Sequence, residues 1–266
     1  MSGLRVWVDG IGLAGPGLAS WAASLDVLRG TQAHATAATV LPPPARLPPA
    51  ERRRAGAAVK LALAIADEAV AQAQLDPATL ATVFTSSSGE GTNCHALCET
   101  LATPTPMVSP TRFTNSVHNA ASGCWHIAVG SRAASTSLCA FDGSFGAGLI
   151  EAATSVVLGR APQLLVASDS PYPEPLHATR PLPDHFGLAL VLAPAPGPRS
   201  IAALTITLIG ADEAVTRCAD PALDELRRVI PAAAALPLLL ALAREGRPSR
   251  VVLGYLAGSH LQIDLA

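Results

Sequence analysis

The chain has 266 residues, half of them hydrophobic and only 14% charged, which is enough apolar material for one substantial core. Aromatic residues make up only 4%, so alanine, leucine and valine must build that core, and their small size lets helices and strands approach closely. The 18 basic and 20 acidic residues leave a net charge of −2 with no long run of either sign, which argues against nucleic acid or an anionic membrane as principal partner.

In chain order, residues 4–9 (LRVWVD) alternate as a first strand and run into a Gly-rich turn, GIGLAGPG. A helix is expected over 18–29. The proline-rich loop 41–54 leads into AGAAVKLALAIADEAVAQAQ, whose apolar positions recur at helical spacing. ATVFTSSSGEG reads as a strand ending in a Ser/Gly turn, NCHALCETL as a short helix, and TPTPMVSPTRF as an extended, proline-punctuated loop. From 119 come a helix (NAASGCWHIAVG), a strand over 134–140 (ASTSLCA), a sharp turn at Asp142-Gly143, and a helix over 143–159. Two buried strands, QLLVASD and FGLALVLAP, follow. After APGPRS comes a tail of one strand, two helices and a closing strand pair, RVVLGYLAG and HLQIDLA. This alternation predicts α/β layering around a largely buried sheet. One domain is expected over 1–266, with a main part over 1–195 and a shortened part over 196–266.

The five cysteines (Cys94, Cys98, Cys124, Cys139 and Cys218) are odd in number and fit no disulfide framework. The opening MSGLRVWVDG lacks the apolar core of a signal peptide. The greasiest run, VIPAAAALPLLLALA, is broken by Pro231 and Pro237 and is shorter than the roughly 18 residues a membrane span needs. A cytoplasmic setting with reduced thiols is expected. The mean hydropathy of +0.37 points to apolar surface covered by a partner.

The stretch NAASGCWHIAVGSRAASTSLCAFDGSFGAGLIEAATSVVLGRAPQLLVASD resembles the core of β-ketoacyl synthases, members of the thiolase-like fold. The matching features are Asn119, Gly123, Ile127, Gly130, the strand at 133–140 and the elbow after it. VWVDGIGLAGPG is similar to the family's opening strand and turn, and LALVLAPAP to its mid-chain strand. The resemblance implies a layered α/β/α fold, truncated, with its second half strongly shortened. Aligned without gaps from Asn119, the family's cysteine nucleophile falls on Asp142. A ketosynthase needs a thiolate there, stabilised by the positive end of the following helix. A carboxylate in the same field is firmly ionised and a poor acyl acceptor. Asp142, in an elbow with Gly143 and Ser144, is therefore expected to cap the helix rather than to catalyse. The two histidines and the lysine of the family's C-terminal half are missing too. LDELRRVI, ahead of PAAAALPLLLALAREG, contains neither residue type, no His-Gly-Thr-Gly-Thr motif is present, and His260 lies in the closing Gly-rich turn.

Within the family the chain most resembles the short chain-length-factor-like proteins of aryl polyene pathways, whose motif NSVHNAASGCWHIAVGSRAASTSLCAFDGSFGAGLIEA nearly reproduces. That resemblance implies a non-catalytic subunit without cofactor or metal, paired as a heterodimer with a separate, active β-ketoacyl synthase. It would meet acyl carrier protein through that complex, in type II polyketide or fatty-acid-like elongation. The strand with Ser135, Thr136, Ser137, Leu138 and Cys139, and Phe141 after it, would then be an edge that the partner covers. SPTRFTN, with Arg112, Phe113 and Thr114, would cross the interface and close the end of the partner's acyl tunnel. Phe113 either sets product length there or is plain interface core. Two other readings stay open: a free-standing acyltransferase or thioesterase using Cys139 or Ser144, and a homodimeric carrier-binding scaffold.

The remaining chemistry-bearing residues read as structural. Cys139 is taken as a small hydrophobe on a buried strand. Cys94, His95 and Cys98 have no second ligand pair at zinc spacing and are assigned to packing. His118 and His126 are expected to hydrogen-bond within the fold. GSFGAG lacks the Lys-Ser/Thr of a phosphate loop, so its glycines are assigned to close helix packing. Arg52, Arg53 and Arg54 are read as a solvated helix start.

Overall fold

The computed structural model describes residues 3–244, Gly246 and 248–266. β1 (Leu4–Ala14) is longer than expected, because the strand continues through the glycines that read as a turn. Close approach, and not a bend, explains them. A Cβ on Gly10 would lie 2.1 Å from the carbonyl oxygen of Ala69, and one on Gly12 would lie 1.9 Å from that of Ile65. Only residues without a side chain let a helix cross the strand at that distance.

α1 (Trp21–Arg29) starts later than expected because Ser20 caps it, its hydroxyl accepting from the amide of Ala23 at 3.1 Å. α2 (Pro49–Arg54) and α3 (Ala57–Ala73), the helix that crosses β1, come next. They are followed by β2 (Ala81–Thr85), α4 (Gly91–Leu101), α5 (Pro110–Thr114), α6 (Ala120–Val129), β3 (Ser135–Leu138) and α7 (Ser144–Gly159). Then come β4 (Gln163–Asp169), α8 (Leu176–Thr179), β5 (Phe186–Ala193) and β6 (Ala202–Gly210). The chain finishes with α9 (Pro221–Val229), α10 (Leu236–Leu242), β7 (Ser249–Gly254) and β8 (Ser259–Leu265). PAAAALPLLLALAREG is thus not one helix: a 3₁₀ turn over Pro231–Ala235 precedes α10, and Glu245 of this stretch lies outside the described residues. Among the described residues no helix is long and apolar enough to cross a membrane.

All eight strands form one mixed sheet in the order β3-β2-β4-β5-β1-β6-β8-β7. β2 pairs in parallel with β3 and β4, and the other neighbours are antiparallel. β1 joins the two parts of the sheet, placing Leu4 opposite Ile206 of β6 and Leu13 opposite Leu188 of β5.

One face of the sheet packs on α1, α7, α9 and α10 and the other on α3 and α6, giving the α/β/α layering. β4 and β5 are buried at every position, as unbroken apolar strands between two helix layers should be. In β5 the sides alternate: Leu188, Leu190 and Leu192 belong to one core, Ala189 and Val191 to the other. The shortened C-terminal part does not build its own sheet. It extends the same sheet past β1, and there only one face is covered: Leu261, Ile263 and Leu265 of β8 are buried, whereas the alternate His260, Gln262 and Asp264 are not.

Candidate functional site

The site implied by the sequence centres on the bend between β3 and α7. β3 is four residues long, so Cys139 lies just beyond it and is exposed, not on a buried strand as expected. Phe141 then takes a left-handed backbone (φ 52°), and Phe141–Gly143 form a 3₁₀ turn that redirects the chain into α7. Two contacts fix this turn. The Ser144 hydroxyl accepts from the Ala140 amide at 3.0 Å and donates to the Phe141 carbonyl at 2.7 Å. Behind it, a Cβ on Gly143 would meet the Tyr255 carbonyl oxygen at 2.7 Å, so the β7–β8 turn backs the elbow directly.

Asp142 does not cap α7. The cap position is Gly143, without a side-chain hydrogen bond, and the Asp142 carboxylate instead forms an ion pair with Arg180, just after α8. The helical frame alone suggested a cap, but a cation brought in from another connection outcompetes the amides. The same guanidinium lies 3.7 Å from the ring centre of Phe141 and 5.4 Å from that of Tyr172. The Tyr172 hydroxyl is 2.8 Å from that of Ser87, which donates to buried Asp169 at 2.6 Å. Asp169 also accepts the Ser87 amide at 2.7 Å and the Ala232 amide at 2.8 Å, tying the ends of β2 and β4 to the 3₁₀ turn before α10. Burial raises its pKa, and the hydrogen bonds from Ser87 and Ala232 oppose that rise.

This arrangement holds an elbow rigidly but offers poor acyl-transfer chemistry. At the position where the sequence resemblance places the family's nucleophile, the Asp142 carboxylate is ion-paired with Arg180. Ser144 is buried, with its hydroxyl engaged on both sides by backbone, and the Cys139 thiol donates to the Ser87 carbonyl at 3.3 Å. Neither histidine beside α6 is paired with a nucleophile. His118 Nε2 donates to the Ser86 carbonyl at 3.1 Å, and His126 Nε2 lies 3.0 Å from the Thr82 hydroxyl.

β3 is the outer strand of the sheet, paired only with β2, and Ser135 and Thr136 are exposed on it. Thr82 donates to the Ser135 hydroxyl at 2.8 Å, and Ser137 donates to that of Ser122 at 3.2 Å. Leu138 is half-buried against the core. Arg112, Phe113 and Thr114 lie on α5 and not in the extended loop expected. Ser109 caps the helix and Pro110 begins it, a start signal present in SPTRF. The Arg112 carbonyl accepts from the Asn93 side chain at 2.6 Å, Thr114 donates to the Pro110 carbonyl at 2.6 Å, and Phe113 is 66% exposed. Neither α4 nor α5 buries a single residue. Between α5 and α6 runs a groove of about 480 Å³ whose lining includes Val117, Gly123 and Ile127.

Other expectations meet mixed outcomes. Cys94 and Cys98 are exposed on α4 and not packed in a core, and His95 sits 3.3 Å from Glu99. Arg52 is only partly solvated, since its guanidinium donates to the Ala45 and Leu47 carbonyls. His260 lies within β8 and not in the closing turn. The α7 glycines do serve close packing: a Cβ on Gly148 would fall 2.7 Å from Thr85 Cγ2. Sequence reasoning missed Tyr172, Arg180 and Asp169, whose roles arise only when four separate connections meet.

The comparisons agree with this geometry. A family model described as "Beta-ketoacyl synthase, N-terminal domain" matches residues 21–235. Comparison with curated protein sequences gives no match. The fold is similar to a chain of the solved structure "Ketosynthase (ApeO) in Complex with its Chain Length Factor (ApeC) from Xenorhabdus doucetiae". Identity is 23% and TM-score 0.74, over 98% of this chain and 99% of that one. It is also similar to a chain of "The ishigamide ketosynthase/chain length factor", at 16% identity and TM-score 0.71 over 99% of both chains. A β-ketoacyl synthase from Burkholderia phymatum STM815 aligns at 14% identity and TM-score 0.60, over 88% of this chain and 70% of that one. The shortened C-terminal part is therefore shared with chains matched nearly end to end. With most of its length matched by the family model, and with a thiolase-like ketosynthase fold, the chain belongs to the β-ketoacyl synthase family.

Proposed function

We propose that the chain is a non-catalytic, chain-length-factor-like subunit that pairs with a separate, active β-ketoacyl synthase and shapes that partner's acyl tunnel during carrier-protein-dependent elongation. The observation that carries this reading is the Asp142–Arg180 ion pair at the elbow, where a synthase needs a free thiolate. Supporting it are the bare β3 edge and α4 and α5, which bury nothing in the monomer. The solved structures named above are themselves described as ketosynthase and chain length factor complexes. In this reading Phe113 and Phe141 contact the partner, the acyl groups arrive on acyl carrier protein, and the work is done in the cytoplasm.

Two measurements test it. Incubating the purified chain with an acyl-carrier substrate should leave it unlabelled, and a thioester on the isolated chain would overturn the reading. Co-expression with an active β-ketoacyl synthase of the same source should give a stable one-to-one complex; homodimers alone would favour a scaffold instead. In that complex, changing the size of Phe113 should shift product length. The engaged hydroxyl of Ser144 and the bonded thiol of Cys139 give a free-standing acyltransferase little support.

A further inference from the structure

We propose that a groove at the β7 edge binds a phosphate oxyanion. The groove lies between α10 and residues 216–219 and encloses about 420 Å³, within the range of ligand sites. Arg217 stands on one wall and Arg244, just past α10, on the other, with Arg250 of β7 between them and Leu240 and Val251 as apolar surface. Among the described residues no aspartate or glutamate lines it.

What distinguishes this groove is its surplus of donors. Arg46, Arg54, Arg180, Arg227, Arg228 and Arg250 each face a carboxylate. Among the described residues Arg244 has neither an ion pair nor a side-chain hydrogen bond, and Arg217 has neither at bonding distance, although its charge acts on Asp224. In a chain of net charge −2, guanidinium groups from different segments converge on one groove. Ser249, in the same lining, keeps a buried hydroxyl without a hydrogen-bond partner among the described residues. The β7 edge adds main-chain donors. Thr216 covers it at Val252, with bonds of 2.8 and 2.9 Å, but two residues back Arg250 turns its amide to the same edge, where no further strand pairs.

A set rich in guanidinium donors selects an anion with several acceptor oxygens. A planar carboxylate satisfies one guanidinium fork, whereas a tetrahedral phosphate presents oxygens to forks on two walls at once. The apolar surface from Leu240 and Val251 suits an ester carrying an aliphatic group. This site does not depend on the heterodimer reading.

Calorimetric titration of the purified chain with inorganic phosphate and with hexyl phosphate tests it. Saturable one-to-one binding is expected, weakened about tenfold by Arg217→Gln and again by Arg244→Gln, because each removes a charge-assisted bond. Both positions are exposed, so the unliganded melting temperature should not move. Arg53→Gln, on α2 outside the groove, should bind like the unsubstituted chain. Tighter binding of hexyl phosphate would assign an ester, and equal affinities would assign free phosphate. No saturable binding of either probe, or undiminished affinity in the double variant, overturns the proposal.

Discussion

α3 and α4 are both helices with regularly spaced apolar residues, yet the fold treats them oppositely. α3 presses Leu61, Ile65 and Ala69 into the sheet so closely that β1 must carry glycine beneath it. α4, with α5 beside it, buries nothing, leaving Leu101 and Phe113 in solvent. The apolar face of α3 serves the monomer, whereas in the proposed function that of α4–α5 would serve a surface shared with a partner. Stability and partner recognition are thus separated, and substitutions in the two regions should have different signatures.

The sharpest way to break that separation is at Gly12. Gly12→Val drives a side chain into the backbone of α3 and should cost more than about 4 kcal/mol, abolishing cooperative unfolding in a denaturant titration. Asp169→Ala should follow. It strands the buried amide of Ala232 and the half-buried amide of Ser87, at about 3 kcal/mol in chemical denaturation. Cys218 gives a milder, pH-dependent effect. Burial pushes its thiol from an ordinary value of 9.0 up to about 12. Below pH 9 folded and unfolded chains both hold the proton and the contribution is complete. As pH rises, the unfolded chain ionises first and stability is lost, by roughly 1 kcal/mol at pH 10. Cys218→Ala should flatten that slope. Arg180→Ala should cost about 1 kcal/mol or less, since the Asp142 end of the pair is largely exposed, while loosening Phe141. At the small extreme, Phe113→Ser should leave the melting temperature of the isolated chain unchanged and weaken only the complex with a synthase. A large loss of monomer stability would collapse the distinction drawn above.

How much could be read beforehand depended on whether the cause was local. The unbroken apolar runs of β4 and β5 announced buried strands, and the glycines of α7 announced close packing, because each signal lies within its own element. Gly10 and Gly12 misled because a turn and a close approach require the same residue, and only α3, some 55 residues later, decides between them. Asp142 misled for a similar reason. Its capping role was the best local guess, and its actual partner, Arg180, lies beyond an entire strand and helix. The start of α5 was legible as Ser109-Pro110 but was hidden among prolines that suggested extension. The network from Asp169 through Ser87 and Tyr172 to Arg180 could not be read at all, since no two of those residues are near neighbours within one element.

β1 pairs with partners made long after it: Trp7 ends up opposite Ala193, and Leu4 opposite Ile206. On a ribosome adding about 5–20 residues per second, β1 waits roughly ten to thirty seconds before β5 exists to receive it. Throughout that interval Val6, Val8, Ile11 and Leu13, all destined for the core, have no sheet to join. The nascent polypeptide therefore carries these side chains unpaired until β5 emerges, and pausing translation between β4 and β5 should lengthen their exposure to proteases.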